Sequence, residues 1–218
     1  MLRGMDDHIA ETLLDRHAIA SRVRSLATEI ATACGDDELV IVPVLTGAII
    51  FLADLVRQLP MRMRIDVMAV SSYPGKCTTS QGPRVLYPLE FQVRGKSVLV
   101  IDDILDSGRT LAMAKDILAG QGARCVKTCV LLRKAVAARN CLTADFMGFD
   151  IPDAFVVGYG LDFDHYYRNL PDIVTLRQHV APGAAREPSV LQRPGSIQNG
   201  PEGAASFEPA SGNMQMPQ

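Results

Sequence analysis

The chain is 218 residues long, 48% hydrophobic and 21% charged, with a formal net charge of −2. That length predicts one domain with a short appendage, and the balance excludes a collagen, a coiled coil, a wholly disordered chain and a general nucleic-acid glove. The longest apolar stretch, Val44 to Val56, is broken by Thr46, Gly47 and Asp54 and falls short of the ~20 residues a membrane span needs.

In chain order, Ile19, Val23, Leu26, Ile30 and Ala33 recur at helical spacing, and Gly35 ends that helix. Leu39 to Leu45 is a continuous run rich in Val and Ile, the mark of a strand buried on both faces. Ala48 to Leu59 reads as a helix stopped by Pro60, and Ile65 to Val70 as a strand. Ser71 to Phe91 is a long polar stretch punctuated by Pro74, Gly75, Gly82 and Pro83. A structureless loop of that length in a compact domain predicts an active-site lid. Ser97 to Ile101 is another buried strand and Thr110 to Leu118 a helix. Arg124 to Leu132 and Ala154 to Val157 are further strands, with a short one near Ile173. Strands alternating with helices predict an α/β fold, a mainly parallel sheet flanked by helices on both faces. The last segment, Ala181 to Gln218, is rich in Pro, Gly, Ala, Ser and Gln. It cannot bury enough apolar surface to offset its ordering entropy. The domain is therefore expected over 1–180, with a disordered tail over 181–218.

Cys34, Cys77, Cys125, Cys129 and Cys141 are odd in number, lack Cys-x-x-Cys spacing and have no histidine pair beside them. They read as structural thiols of a reducing cytoplasm. The first residues carry acids where a signal peptide has a basic and then an apolar run.

In parallel sheets of this kind ligands bind at the carboxyl ends of the strands. The strand Val98 to Ile101 is followed by Asp102-Asp103-Ile104-Leu105-Asp106-Ser107-Gly108-Arg109-Thr110 and then a helix. Small residues from Asp106 to Thr110 at a helix start offer backbone N–H groups, two hydroxyls and the helix dipole to one phosphate. Asp102 and Asp103 would repel phosphate, but they accept from sugar hydroxyls and can hold Mg²⁺. Together these features match a phosphorylated sugar. The Gly-x-x-x-x-Gly-Lys-Ser/Thr phosphate loop is absent. A capped turn would explain any one of these residues, but not three acids followed by Ser-Gly-Arg-Thr. A receiver domain also clusters aspartates at strand ends, but it draws them from different strands.

Val98 to Leu111 resembles the phosphoribosyl-pyrophosphate (PRPP) motif of type I phosphoribosyltransferases. Phe155 to Asp162, running on to Tyr166-Tyr167-Arg168-Asn169-Leu170-Pro171 and preceded by Gly148 to Asp153, resembles the hypoxanthine-guanine branch. The resemblance spans roughly Ile41 to Leu176, with four segments matching in order. It implies the type I phosphoribosyltransferase fold, with a small hood over the C-terminal strand ends. It implies transfer of ribose 5-phosphate from PRPP to hypoxanthine or guanine, with Mg²⁺, giving IMP or GMP and pyrophosphate in purine salvage. It also implies a homodimer or homotetramer.

The resemblance assigns roles to residues. Asp106 is the general base for the purine proton. Asp102 and Asp103 hold the ribose hydroxyls, directly or through Mg²⁺. Asp106, Ser107, Gly108, Arg109 and Thr110 cradle the 5-phosphate. Thr46 and Gly47 present backbone amides to pyrophosphate, in relatives often through a strained non-proline peptide bond, and Arg168 brings charge to the same group. Lys134 donates to the purine 6-oxo group, with Arg133 beside it facing solvent. Phe155 stacks on the base, although read alone it is a core aromatic, and Val156 meets the purine edge. Asp162 lies near the exocyclic position of guanine or binds a second Mg²⁺. Ser72 and Tyr73 open the lid. This chain has Asp102 where many relatives carry Glu, and Thr46 where relatives often carry Lys.

A second reading is a regulator of the same fold that binds nucleotide and nucleic acid. It would be expected to cluster Lys and Arg on one face, and Arg57, Arg62 and Arg64 are sparse. A third reading, transfer to xanthine or adenine, sits less well with Phe155 to Asp162. No nucleic-acid partner and no membrane association are expected.

Overall fold

The computed structural model describes residues 6–35, 38–71, 84–85, 92–140, 143–177 and 180. The chain divides into two units, Met1–Ala184 and Ala185–Gln218, and every described residue belongs to the first. The expected tail, and Ser72 and Tyr73 of the expected lid, lie outside the described residues.

The first core helix, α1 (Arg16–Cys34), starts where Asp15 accepts from the amides of His17 and Ala18 at 2.8 Å each. This satisfies two of the donors that a helix start leaves unpaired. Gly35 closes it, its N–H donating to the Ala31 carbonyl. The buried face carries Ile19, Val23, Leu26 and Ile30 as expected, but Ala27 takes the fifth place and Ala33 is exposed.

Two small strands precede and follow the main sheet. β1 (Ile9–Leu14) and β10 (Ile173–Leu176) pair antiparallel, and β9 (Val156–Val157) joins the other side of β10. This three-stranded sheet has its own cluster of Val157, Tyr167, Leu170, Val174 and Leu176, and it forms the expected hood. β1 was not predicted. β9 begins two residues later than expected, after the Ala154 amide has turned back to Pro152.

The main sheet contains β2 (Leu39–Leu45), β3 (Met63–Ile65), β4 (Met68–Ser71), β5 (Arg84–Val85), β6 (Ser97–Leu105), β7 (Cys125–Lys134) and β8 (Phe146–Ile151). Its order is β5-β4-β2-β6-β7-β8, with β3 also beside β2. All these pairings are parallel except β4 with β5. The predicted strand Ile65 to Val70 is in fact two, broken at Asp66 and Val67. Pro43 of β2 falls level with that break, between the pairs Ile41↔Ile65 and Val44↔Met68. Its missing N–H therefore costs no ladder bond. β5 also shows that the polar stretch from Ser71 to Phe91 contains structure.

Alternation places the core on both faces. Leu39, Ile41, Leu99, Ile101, Cys129 and Leu131 pack under α1 and α2 (Ile49–Val56), while Val40, Val42, Val98, Val100 and Val130 pack under α3 (Arg109–Gly120). Burial pushes the Cys129 thiol well up, consistent with a structural thiol. α2 is shorter than predicted. After Val56 the chain tightens, with the Gln58 amide bonded to Leu55, because the approach to Pro60 disfavours helix. The short α4 (Ala135–Arg139) follows β7 directly.

Candidate active site

The β2–β6 ladder ends at Pro43↔Ile101, yet β6 runs on beside β7 through Asp102↔Val130, Ile104↔Leu132 and Leu105↔Arg133. The predicted strand stopped at Ile101. The ladder to β7 carries the two acids into strand geometry despite their low strand propensity. A cleft opens where β6 overhangs β2. It is a cavity of about 300 Å³ lined by Val44, Leu45, Gly47, Asp102 to Ser107, Gly108, Thr110 and Leu111. The Leu45–Thr46 peptide at the end of β2 is cis, which is the non-proline bond the resemblance implied.

Asp102 is buried, and its Oδ1 accepts from the Asp103 amide at 3.0 Å. Asp103 Oδ1 accepts in turn from the Ile104 amide at 2.9 Å. Burial, reinforced by the neighbouring Asp103 charge, pushes Asp102 well above the usual carboxylate range. Burial raises Asp103 as well, against downward pulls from the Asp102 side chain, from backbone amides and, last, from the Arg168 charge. A buried pair of adjacent carboxyl groups suits a partner that brings positive charge or hydroxyl donors. Asp103 also packs directly on Gly47, where a Cβ would lie 1.7 Å from its Oδ2. The acidic end of β6 and the turn that follows β2 are therefore in contact.

Gly108, with φ 73°, sits at the start of α3 and lines the cavity. Ser107 and Thr110 line it, while the Arg109 side chain is exposed. Thr46, in the turn after β2, is likewise exposed. Asp106 reaches outward with its side chain 54% exposed, and its Oδ2 accepts from Lys134 Nζ at 3.1 Å. Lys134 is largely covered and lies 3.9 Å from Asp153 on its other side.

Arg133, expected in solvent, instead makes a bidentate pair with Asp150 at 2.6 and 3.0 Å. The two are register partners on β7 and β8. Phe155 is 41% exposed and meets Phe163 edge-on at 5.6 Å, so the reading of a plain core aromatic fails. Val156 is buried in β9. Asp162 and Arg168 are joined to each other at 2.7 Å, and Asp162 also accepts from the His165 amide. Arg168 Nη1 donates to the Gly160 carbonyl at 2.7 Å.

Sequence reasoning passed over Gly160, Tyr159 and Asp54. Gly160, with φ 102°, brings its Cα so close to the Gly47 carbonyl that a Cβ would lie 2.4 Å from that oxygen. The Tyr159 hydroxyl donates to Asp54 Oδ2 at 2.6 Å. The available signal was Asp54 itself, an acid inside an otherwise apolar helix.

Paired acids, a helix start and a glycine turn meeting at one strand end of a parallel sheet define a ligand-binding α/β class. The profile of the phosphoribosyl transferase domain matches residues 10–164, and the chain belongs to that family. The chain is 44% identical over 163 residues to a hypoxanthine-guanine phosphoribosyltransferase of Aquifex aeolicus, covering 74% of this chain and 91% of the relative. It is 36% identical over 168 residues to the hypoxanthine phosphoribosyltransferase of Escherichia coli, covering 76% and 94%. Its fold matches the crystal structure of a Staphylococcus aureus hypoxanthine phosphoribosyltransferase with a TM-score of 0.76 at 33% identity, covering 83% of this chain and 98% of that one. A Trypanosoma cruzi enzyme in complex with the product IMP matches with a TM-score of 0.73 at 34% identity, covering 80% and 98%.

Proposed function

We propose that this chain transfers ribose 5-phosphate from PRPP to hypoxanthine or guanine, forming IMP or GMP and releasing pyrophosphate in purine salvage. Its substrates are small molecules. The reading rests on the joint lining of one cavity by Asp102, Asp103, Gly47 and the start of α3. That cavity combines acceptors for sugar hydroxyls with amides for phosphate.

In the reaction the bond from the ribose anomeric carbon to pyrophosphate breaks and the bond to a purine nitrogen forms. The proton lost by the purine goes to an Asp106 oxygen. Lys134, already within reach of Asp106, turns its ammonium to the 6-oxo group, and Phe155 covers the base. The amide of Gly47 and the charge of Arg168 receive the leaving group, where preorganised donors act most strongly. Asp102 and Asp103 orient the ribose hydroxyls.

Among the described residues, no group of three or more His, Cys, Asp or Glu gathers round a metal position. Mg²⁺ is commonly held by one or two carboxylates together with substrate oxygens. The adjacent carboxyl groups of Asp102 and Asp103 fit that donor set, and Asp162, paired with Arg168 and the His165 amide, would offer a second position. When bound, Mg²⁺ supplies charge neutralisation for the pyrophosphate.

We further propose that residues 1–180 carry the activity, that the enzyme is a homodimer or homotetramer, and that it works in the cytoplasm. Among the described residues, no helix is long and apolar enough to cross a membrane. The decisive assay is pyrophosphate release with PRPP and Mg²⁺, offering hypoxanthine, guanine, xanthine and adenine in turn. Release with the first two supports the reading. Release with none of the four rejects it.

A further inference from the structure

The turn at residues 158–160 lies between the two groups assigned to pyrophosphate. On one side Gly160 abuts the Gly47 carbonyl. On the other, its own carbonyl accepts from Arg168 Nη1 at 2.7 Å, and its amide donates to the Arg168 carbonyl at 3.0 Å. Whatever fixes this turn therefore fixes Gly47 and Arg168 relative to each other.

Tyr159 is the one side chain of the turn, and its backbone is unusual for such a residue. Its φ is 51°, between Gly158 at 96° and Gly160 at 102°. A bulky residue in the left-handed region persists only where the surroundings hold it there. Here the ring is buried, the Tyr159 amide donates to the Leu170 carbonyl at 2.7 Å, and the hydroxyl donates to Asp54 Oδ2 at 2.6 Å. Asp54 stands on α2, the helix that begins shortly beyond Thr46 and Gly47, and Arg57, just past its end, pairs with the other Asp54 oxygen. The hood is thus tied to α2 at two levels, backbone to backbone at Gly47 and hydroxyl to carboxylate at Asp54.

We infer that Tyr159 is a positioning residue for pyrophosphate, pinning the turn to Asp54 so that Gly47 and Arg168 face the same leaving group. This role rests on the proposed transferase reaction. Burial and the Asp54 contact push the Tyr159 phenol well above its ordinary value, so it remains a donor throughout the working range. Asp54 keeps Arg57 when the hydroxyl is removed, so Tyr159→Phe deletes one bond without leaving a bare buried charge.

The test is steady-state kinetics with each substrate varied separately. Tyr159→Phe should raise the KM for PRPP about tenfold, the scale of one hydrogen bond to a charged group, with the purine KM unchanged. Asp54→Ala should do the same. Asp54→Asn keeps an acceptor oxygen and should restore PRPP KM to near the wild-type value. The double variant Tyr159→Phe with Asp54→Ala should be no worse than either alone, since both remove the same bond. A Tyr159→Phe enzyme with unchanged PRPP KM beside an active wild type overturns the positioning role alone. An equal rise in both KM values, or additive single effects, also overturns it. A wild-type enzyme that forms no nucleotide rejects the transferase reading itself, and that result appears in the control before any variant is compared.

Discussion

The β6 side of the site comes from one unbroken run, Asp102 to Thr110, which leaves a strand gripped on both flanks and runs on beside β7. The hood side gathers Phe155 to Asp172 through turns, with left-handed backbone at Tyr159, Asp164, His165 and Tyr167. Distant ties hold it: Tyr159 to Asp54, Tyr167 to His8 at 2.7 Å, and Asp172 to Arg16 at 2.9 Å. The first side is placed by the core and leaves Asp106 exposed. The second is placed by pairwise contacts that must all agree. Chemistry should therefore fail at single residues on the first side, and positioning should fail diffusely on the second.

The sharpest way to break this contrast is Asp106→Asn. The side chain packs on little besides Lys134, so turnover should fall by roughly two orders of magnitude or more, the scale of a general base, with the melting temperature almost unmoved. Near-normal turnover would remove Asp106 from the chemistry. Next comes Gly47→Ala, which probes the place where the two sides touch. Its Cβ has no room beside Asp103 Oδ2, so stability should fall by about 1–3 kcal/mol, the usual scale of overpacking, and PRPP binding should weaken. Calorimetric titration and a melt read both effects, and unaltered PRPP affinity would show that the turn can yield without harm to the cradle.

A smaller effect has the opposite sign. Asp102 carries a pKa raised by burial, so the folded state holds its proton more tightly than the unfolded state does. The stability this contributes is fully present below the usual carboxylate range and is lost as pH rises through the raised value. At neutral pH the buried charge is then a cost. Asp102→Asn should raise the melting temperature at pH 7 by about 2–4 °C, the shift that about 1 kcal/mol gives in a domain of this size. It should also weaken PRPP binding and flatten the melting temperature between pH 4 and 7 relative to wild type. A lower melting temperature at pH 7 would show that Asp102 supports the fold. The smallest effect is expected from deleting residues 181–218. Turnover and melting should match the full chain, and a lost transition would move the domain boundary.

The contiguous side was legible because its signals are local. β2 runs over Leu39 to Leu45 as its unbroken aliphatic run implies, and the acids, the small residues and the helix follow one another in order. What escaped depends on partners far away in the chain. β1 has no clean alternation and becomes a strand because β10, over 150 residues later, accepts it. β8 contains Gly148, which weakens its strand signal. That glycine packs so close to the Leu131 carbonyl of β7 that a Cβ would lie 2.2 Å away. Without β8, Asp150 has no visible place beside Arg133, and Arg133 alone reads as a solvent residue. Asp54 stood out as an anomaly in an apolar helix, but only the fold shows the tyrosine above it.

The overhang of β6 beyond β2 also bears on how the molecule comes apart. Asp102 and Asp103 extend from a central strand that β7 still holds on one flank, while the hood rests on a small cluster and a few side-chain ties. On warming, the hood should loosen first and the acids should stay in register until the sheet itself gives way. Amide exchange would record this as slow exchange along Leu99 to Leu105 and faster exchange from Gly158 to Asp172. A partly loosened enzyme would then still hold a sugar phosphate after it has lost the ability to close over a base.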